Sequence, residues 1–295
     1  AVLFMGIQSC FFWPQKYILV RYIGGEHRVA FGSGWLETTA FLAILSATIL
    51  ASYLSERTVS LVLSVIFVLI AIAGYIAVLQ LKVTELPVIK HHHSLHPIRF
   101  LLHSYKLAKA YKHVNAAVMG SSLFWLFGAL LQMNLVIHST NVYQSANSAT
   151  GLVLSSAALG IALGCIVAAK IAGKGTGKQF VVPALAMMGF LLFLLAYVDL
   201  SVESYFVTVF AFAFTGGFFQ VPNLAIIQQS DSGRKLSDLF AYLNLTTFVF
   251  VLLGTVMFSI SMHLSNDNSH LMFTLLMLLV FVSCIAYFVY FKIKR

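Results

Sequence analysis

The chain has 295 residues, of which 60% are apolar and only 9% are Asp, Glu, Lys or Arg. Soluble domains run at roughly 45–50% apolar and about 25% charged, so a water-soluble enzyme, whose surface must be covered with polar groups, and a disordered chain are both excluded. The formal charge of +9 would suggest nucleic acid as a partner in a soluble protein, and only the placement of those charges decides the matter.

A membrane span needs about 20 mostly apolar residues to cross roughly 30 Å of hydrocarbon. Nine segments meet that test: 1–21, 30–54, 59–81, 114–137, 148–171, 180–198, 204–226, 237–262 and 270–291. None alternates with period two, which excludes a lipid-facing β-barrel. Nine buried helices of a soluble protein would need a polar outer layer that this sequence lacks. The first segment starts at Ala1 without a charged stretch ahead of it, so it does not read as a cleavable signal peptide. With no initiator Met, further sequence is expected upstream. Cys10, Cys165 and Cys284 lie far apart inside apolar runs and read as small core residues, with neither disulfide nor zinc spacing.

The loops test the count independently, because Lys and Arg favour the cytoplasmic side. Lys16, Arg21 and Arg28 flank the first loop, and Lys82, Lys90, Arg99, Lys106, Lys109 and Lys112 fill the loop after span three. Lys170, Lys174 and Lys178 follow span five, Arg234 and Lys235 follow span seven, and Lys292, Lys294 and Arg295 end the chain. The intervening loops hold only Arg57, together with Asp199, Glu203 and Asp267. The alternation places the C-terminus in the cytoplasm and makes the basic charge a topology signal, so no nucleic-acid partner is expected.

The loop 82–113 divides three spans from six. Within it Ile98, Leu101, Leu102, Tyr105 and Ala108 recur at helical spacing while Arg99, Lys106, Lys109 and Lys112 fall elsewhere, the pattern of a helix lying in the headgroup plane. Three spans, a long basic linker and six spans predict a two-bundle transporter without its first three helices: 1–81 as the remnant of an N-terminal bundle (helices 4–6), 82–113 as linker, and 114–295 as a C-terminal six-helix bundle (helices 7–12).

Specific residues add to the count. Phe11-Phe12-Trp13-Pro14-Gln15-Lys16-Tyr17, with Gly34-Trp35-Leu36-Glu37 and Phe41-Leu42-Ala43-Ile44-Leu45, resembles helices four and five of the lysophospholipid transporter branch of the major facilitator superfamily. Gly160 to Gly164 and Lys170 to Lys174 resemble its helix eight to nine junction. Val221-Pro222 with Ala225-Ile226-Ile227-Gln228, then Ala241 and Asn244, is similar to its helix ten to eleven segment. Trp13, Ser33 and Thr247 depart from the residues usual there. The resemblance covers essentially the whole chain. It implies an all-α integral membrane protein of the major facilitator fold, nine of twelve helices, in the bacterial inner membrane. It also implies a lipid cargo, and an acyltransferase acting on the same lipid as a possible partner.

A charge at bilayer depth costs at least about 2.5–3.5 kcal/mol, so intramembrane ionisable groups are functional candidates. Lys16 lies about six residues inside the cytoplasmic end of span one and Glu37 seven or eight inside that of span two, which at about 1.5 Å per residue puts both near 9–12 Å depth. Three readings are open: a structural salt bridge, Lys16 attracting a lipid phosphate with Glu37 as counter-ion or proton carrier, or both snorkelling to the interface. Gln132, Asn134, Gln220, Asn223 and Asn244 are uncharged polar groups in apolar spans, where hydrogen bonding to a neighbouring helix is the ordinary role. Asn223 follows Pro222, which frees a carbonyl and loosens the helix. Gly160 and Gly164 have the small-xxx-small spacing of close helix packing. Lys16, Glu37, Gln132, Asn223 and Asn244 are therefore the candidate binding residues, and Gly160, Gly164, Lys170 and Pro222 the structural ones.

No cofactor or metal is expected. His91, His92, His93, His96 and His103 cluster in the linker, with Glu85 as the only acid nearby. Gly173 to Lys178 is one residue short of a phosphate-binding loop and has Gln179 in place of Ser or Thr. Acyltransfer would need a His with an orienting carboxylate. His263 and Asp267 are one residue too close for the usual signature and sit in an outer loop, and no Gly-x-Ser-x-Gly occurs. The sequence thus reads as an alternating-access carrier of a lysophospholipid-like amphiphile, or alternatively a drug or small-metabolite antiporter on the same scaffold, and as no enzyme.

Overall fold

A computed structural model describes residues 2–25, 28–55, 60–80, 97–141, 147–173, 175–265 and 268–293. Ten α-helices follow in chain order: α1 (Val2–Gly24), α2 (Val29–Ser55), α3 (Ser60–Leu79), α4 (Pro97–Ala110), α5 (Val114–Asn141), α6 (Asn147–Ala172), α7 (Val181–Tyr197), α8 (Val202–Gln228), α9 (Leu236–Ser265) and α10 (Ser269–Ile293). No strand occurs among the described residues. Each of the nine predicted spans falls on one long helix, and α4 falls on the predicted interfacial segment.

Among the described residues, seven of the nine are long and apolar enough to cross a bilayer: α2 and α5 to α10. Of the other two, α1 carries Gln8, Gln15, Lys16 and Arg21 along with Pro14, and α3 carries no charged residue, with the apolar stretch Ser64–Leu79 among the described residues.

The helices α5 to α10 pack on one another around a core that includes Phe127, Leu130, Leu185, Leu192, Phe219 and Phe273. The tightest contact is between α6 and α8, and glycine makes it possible. A Cβ on Gly164 would collide with the Phe214 carbonyl, and one on Gly160 would stand 2.5 Å from the Phe210 carbonyl oxygen. Gly217 of α8 meets the backbone of Gly164 and Cys165 from the other side. Backbones this close exclude any side chain, the arrangement that small-xxx-small spacing serves in membranes.

Two helices from the first part of the chain dock on this group. α2 packs on α6 and α8, with Gly34 against Cys165 and Ala169, and α1 packs on α9 and α2. α3 is exposed along almost its whole described length, Phe67 and Tyr75 included.

The linker helix α4 packs on α9 and α5. It buries Ser104 and Ala108, while Leu101, Leu102 and Tyr105 stay exposed beside Arg99, Lys106 and Lys109. Of the predicted apolar stripe, Leu101, Leu102 and Tyr105 therefore face away from the protein and Ala108 toward it, as a helix between protein and headgroups would present them. His113, at φ 66°, turns the chain from α4 into α5. The predicted linker residues Lys82, Lys90, His91, His92, His93, His96 and Glu85 lie outside the described residues, as do Arg57, Lys174, Asp267, Lys294 and Arg295.

Candidate functional site

The C-terminal turns of α1 and α8 and the N-terminal turns of α2 meet at one end of the molecule. Helical spacing aims their polar groups at one another: Tyr17 and Arg21 are four apart on α1, and Ser33 and Glu37 four apart on α2. The Tyr17 hydroxyl donates to Glu37 Oε1. Gln228 Nε2 donates to the Tyr17 carbonyl at 2.9 Å, and Ser33 Oγ donates to Gln228 Oε1. Arg21 Nη1 donates to the Ser230 carbonyl just beyond α8, and Thr38 Oγ1 to the Ala162 carbonyl on α6, both at 2.9 Å.

These bonds form a lattice between α1–α2 on one side and α6–α8 on the other. Tyr17, Ser33 and Gln228 are fully buried, and Glu37 is 2% exposed. The Tyr17 ring lies flat on Phe240 of α9, with centroids 5.2 Å apart. A carboxylate so placed loses its water and needs replacement partners; the Tyr17 hydroxyl is one, and the Lys16 charge acts on it through space.

Lys16 itself makes no ion pair with Glu37 within 4.0 Å among the described residues. Its ammonium stands 5.1 Å from the Tyr17 ring centroid and 5.9 Å from that of Trp13. Successive helical residues differ by about 100° in direction, so Tyr17 faces α2 while Lys16, half-buried, lies along the aromatic rings.

Toward the middle of the bundle a cavity of about 430 Å³ opens between α2 and α5, α6 and α8, with Met188 of α7 and Val251 of α9 completing the wall. Its lining is aromatic and aliphatic, led by Phe41, Phe124, Phe127 and Phe212. The polar side chains in the wall are Gln132, Ser155 and the indole of Trp125, and none is charged. The volume is within the range of small-molecule sites, about 300–1,000 Å³.

Of the five candidate binding residues, Gln132 alone lines this cavity. Lys16 and Glu37 lie at the lattice. Asn223 is fully buried in α8, where its Nδ2 donates to the Phe219 carbonyl at 2.7 Å, next to Gly120 of α5 and Tyr287 of α10. Gln220, one turn earlier, accepts from Ser121 Oγ at 2.9 Å. Asn244 is buried on α9 away from the cavity lining, Pro222 is buried within α8, and Lys170 is exposed near the end of α6. Among the described residues no three His, Cys, Asp or Glu gather as a metal site.

The sequence reading missed Tyr17, Ser33, Arg21 and Gln228 as a unit. The available signal was the Ser33–Glu37 spacing on α2 together with Gln228, an amide closing an apolar helix.

Curated relatives align with much of this chain. The lysophospholipid transporter LplT of Photorhabdus laumondii is 26% identical over 236 residues, and those of Yersinia pestis and Yersinia pseudotuberculosis are 24% identical over 230. The chain is a distant homologue of these transporters. The alignments take in 76–78% of this chain and 55–57% of the relatives, so it spans a little over half their length. No family model matches, and no solved structure does. The ten helices, seven of them long and apolar enough to cross a bilayer among the described residues, mark a helical integral membrane protein, and the distant homology is to transporters.

Proposed function

We propose that the chain forms helices four to twelve of a major facilitator carrier that moves a lysophospholipid-like amphiphile across a bacterial inner membrane. Residues 1–81 belong to its first bundle, 82–113 to the linker and 114–295 to the second bundle. One observation carries the reading: an apolar cavity between α2 and the α5–α10 group lies directly against a hydrogen-bonded lattice that closes the same interface at one end. A carrier of this type works by opening and closing such an interface around a fixed site. The Lys and Arg distribution puts the lattice and the C-terminus on the cytoplasmic side, so the conformation is closed toward the cytoplasm. Cargo entering from the outer leaflet would leave after the lattice parts, on the side where an acyltransferase could consume it.

The test is reconstitution of the chain into liposomes, with labelled lysophosphatidylethanolamine added to one leaflet and albumin extraction used to follow its transfer. Faster transfer than in protein-free liposomes is expected. No transfer, together with drug resistance on expression, would replace this reading with a drug or small-metabolite antiporter.

A further inference from the structure

Two of the cavity's polar groups share one depth. Gln132 lies nine residues from the Asn141 end of α5 and Ser155 eight residues from the Asn147 end of α6, so at about 1.5 Å per residue both stand roughly 12–14 Å below that face. Leu135 and Leu154 line the cavity just outside them. Phe41, Phe124, Ile161 and Gly216, a further turn or more toward the lattice, make a floor that is apolar apart from the Trp125 indole, whose N–H has no partner among the described residues.

Gln132 and Ser155 are also unsatisfied. The Gln132 amide is exposed and makes no hydrogen bond to another described residue. Ser155 likewise has no partner among them, whereas its neighbour Ser156 follows the usual habit and donates back to its own helix, to the Val153 carbonyl at 2.8 Å. Polar groups in a hydrocarbon environment call for partners. No charged side chain lines the cavity, so nothing in it neutralises a phosphate.

We infer that the cavity takes the hydrocarbon chain of an ester-linked amphiphile, with Gln132 and Ser155 donating to the ester carbonyl and the charged headgroup on the side of them that faces the Asn141 end of α5. The inference rests on the carrier reading above and adds the feature of the cargo that is recognised. An amide N–H and a hydroxyl both donate to a carbonyl oxygen, while an ether-linked chain lacks that oxygen and leaves both donors unpaired.

Binding to the chain in nanodiscs decides it, with competition by 1-acyl lysophosphatidylethanolamine and its 1-O-alkyl counterpart of equal chain length. The acyl compound is expected to bind about tenfold more tightly, the ratio that follows when the bound chain covers these donors and leaves one unpaired. Gln132→Met and Ser155→Ala should each pull the ratio toward one by weakening the acyl compound alone, and glycerophosphoethanolamine, a headgroup without a chain, should not compete. Equal affinities for acyl and alkyl compounds in the unmodified chain, or a ratio that survives Gln132→Met, would overturn the linkage inference and leave the carrier reading intact. Binding of neither compound would overturn both.

Discussion

α2 and α8 each contribute to two regions built on opposite principles. At the lattice they supply Ser33, Glu37 and Gln228, every one buried; Ser33 and Gln228 bond across the interface, and Glu37 accepts from Tyr17 on its own side. About one to four turns away the same helices present Phe41, Phe212 and Gly216 to a cavity with little to hold a polar group. On the carrier reading, the contrast separates closing from binding. A hydrogen bond between membrane helices is worth about 0.6–2 kcal/mol, so the cross-interface bonds of the lattice together amount to a few kcal/mol. That is the scale of an equilibrium whose minor state is still populated. The α6–α8 contact is of another order, since separating it would expose glycine backbone along several turns.

The largest effect is expected from Tyr17→Phe. The ring still stacks on Phe240, but Glu37 loses the hydroxyl that solvates it. A hydrogen bond to a charged group contributes about 1.5–3 kcal/mol, and thermal unfolding in detergent should register a loss of that size. Glu37→Gln in the Tyr17→Phe background should recover most of it, because a neutral amide tolerates burial better. If Tyr17→Phe leaves stability unchanged, Glu37 is not held by this bond and the lattice loses its charged member.

Next is Gln228→Leu, which removes an acceptor from Ser33 and a donor from the Tyr17 carbonyl. Cys165 is a native reporter: it is a free thiol, fully buried on α6 where Gly34 of α2 covers it. Its maleimide labelling, read by mass spectrometry, should rise about tenfold, the equivalent of roughly 1.4 kcal/mol of lost closure. Unchanged labelling would mean that packing alone holds the interface shut.

These residues also mark what the sequence made legible. Apolar length found each of the long helices, and helical periodicity found α4, because both are one-dimensional signals. Hydropathy picked out Lys16 and Glu37 as charges at depth, yet it carries no direction around the helix, so it could not tell that Tyr17, one position on, is the group that meets Glu37. Asn223, directly after Pro222, looked a better candidate than Gln132 in sequence. The structure separates them, since Asn223 bonds to the Phe219 carbonyl of its own helix and Gln132 has no such partner among the described residues. The detachment of α3 was illegible for a related reason: a helix apolar on all sides has no face that specifies a neighbour.

A smaller effect on stability is expected in the cavity. Ala158→Phe adds bulk to its wall where space is open, so unfolding should shift by less than about 1 kcal/mol and Cys165 labelling should stay low, while lysophosphatidylethanolamine binding falls at least tenfold. A rise in Cys165 labelling would show that the two regions are not separable.

Lys16→Ala should be the mildest. The ammonium is half-buried along two aromatic rings and has no ion pair with Glu37 within 4.0 Å among the described residues. Cation–π contacts at such sites contribute about 0.5–1 kcal/mol, to which the through-space attraction to Glu37 adds a part. The instructive control is Lys16→Met, which keeps the apolar stem against Trp13 and Tyr17 and removes only the charge. If Met restores what Ala loses, Lys16 acts by packing. If both lose stability equally and the loss disappears in a Glu37→Gln background, the coupling is electrostatic, and the lattice holds a charge pair that works at a distance through the ring of Tyr17.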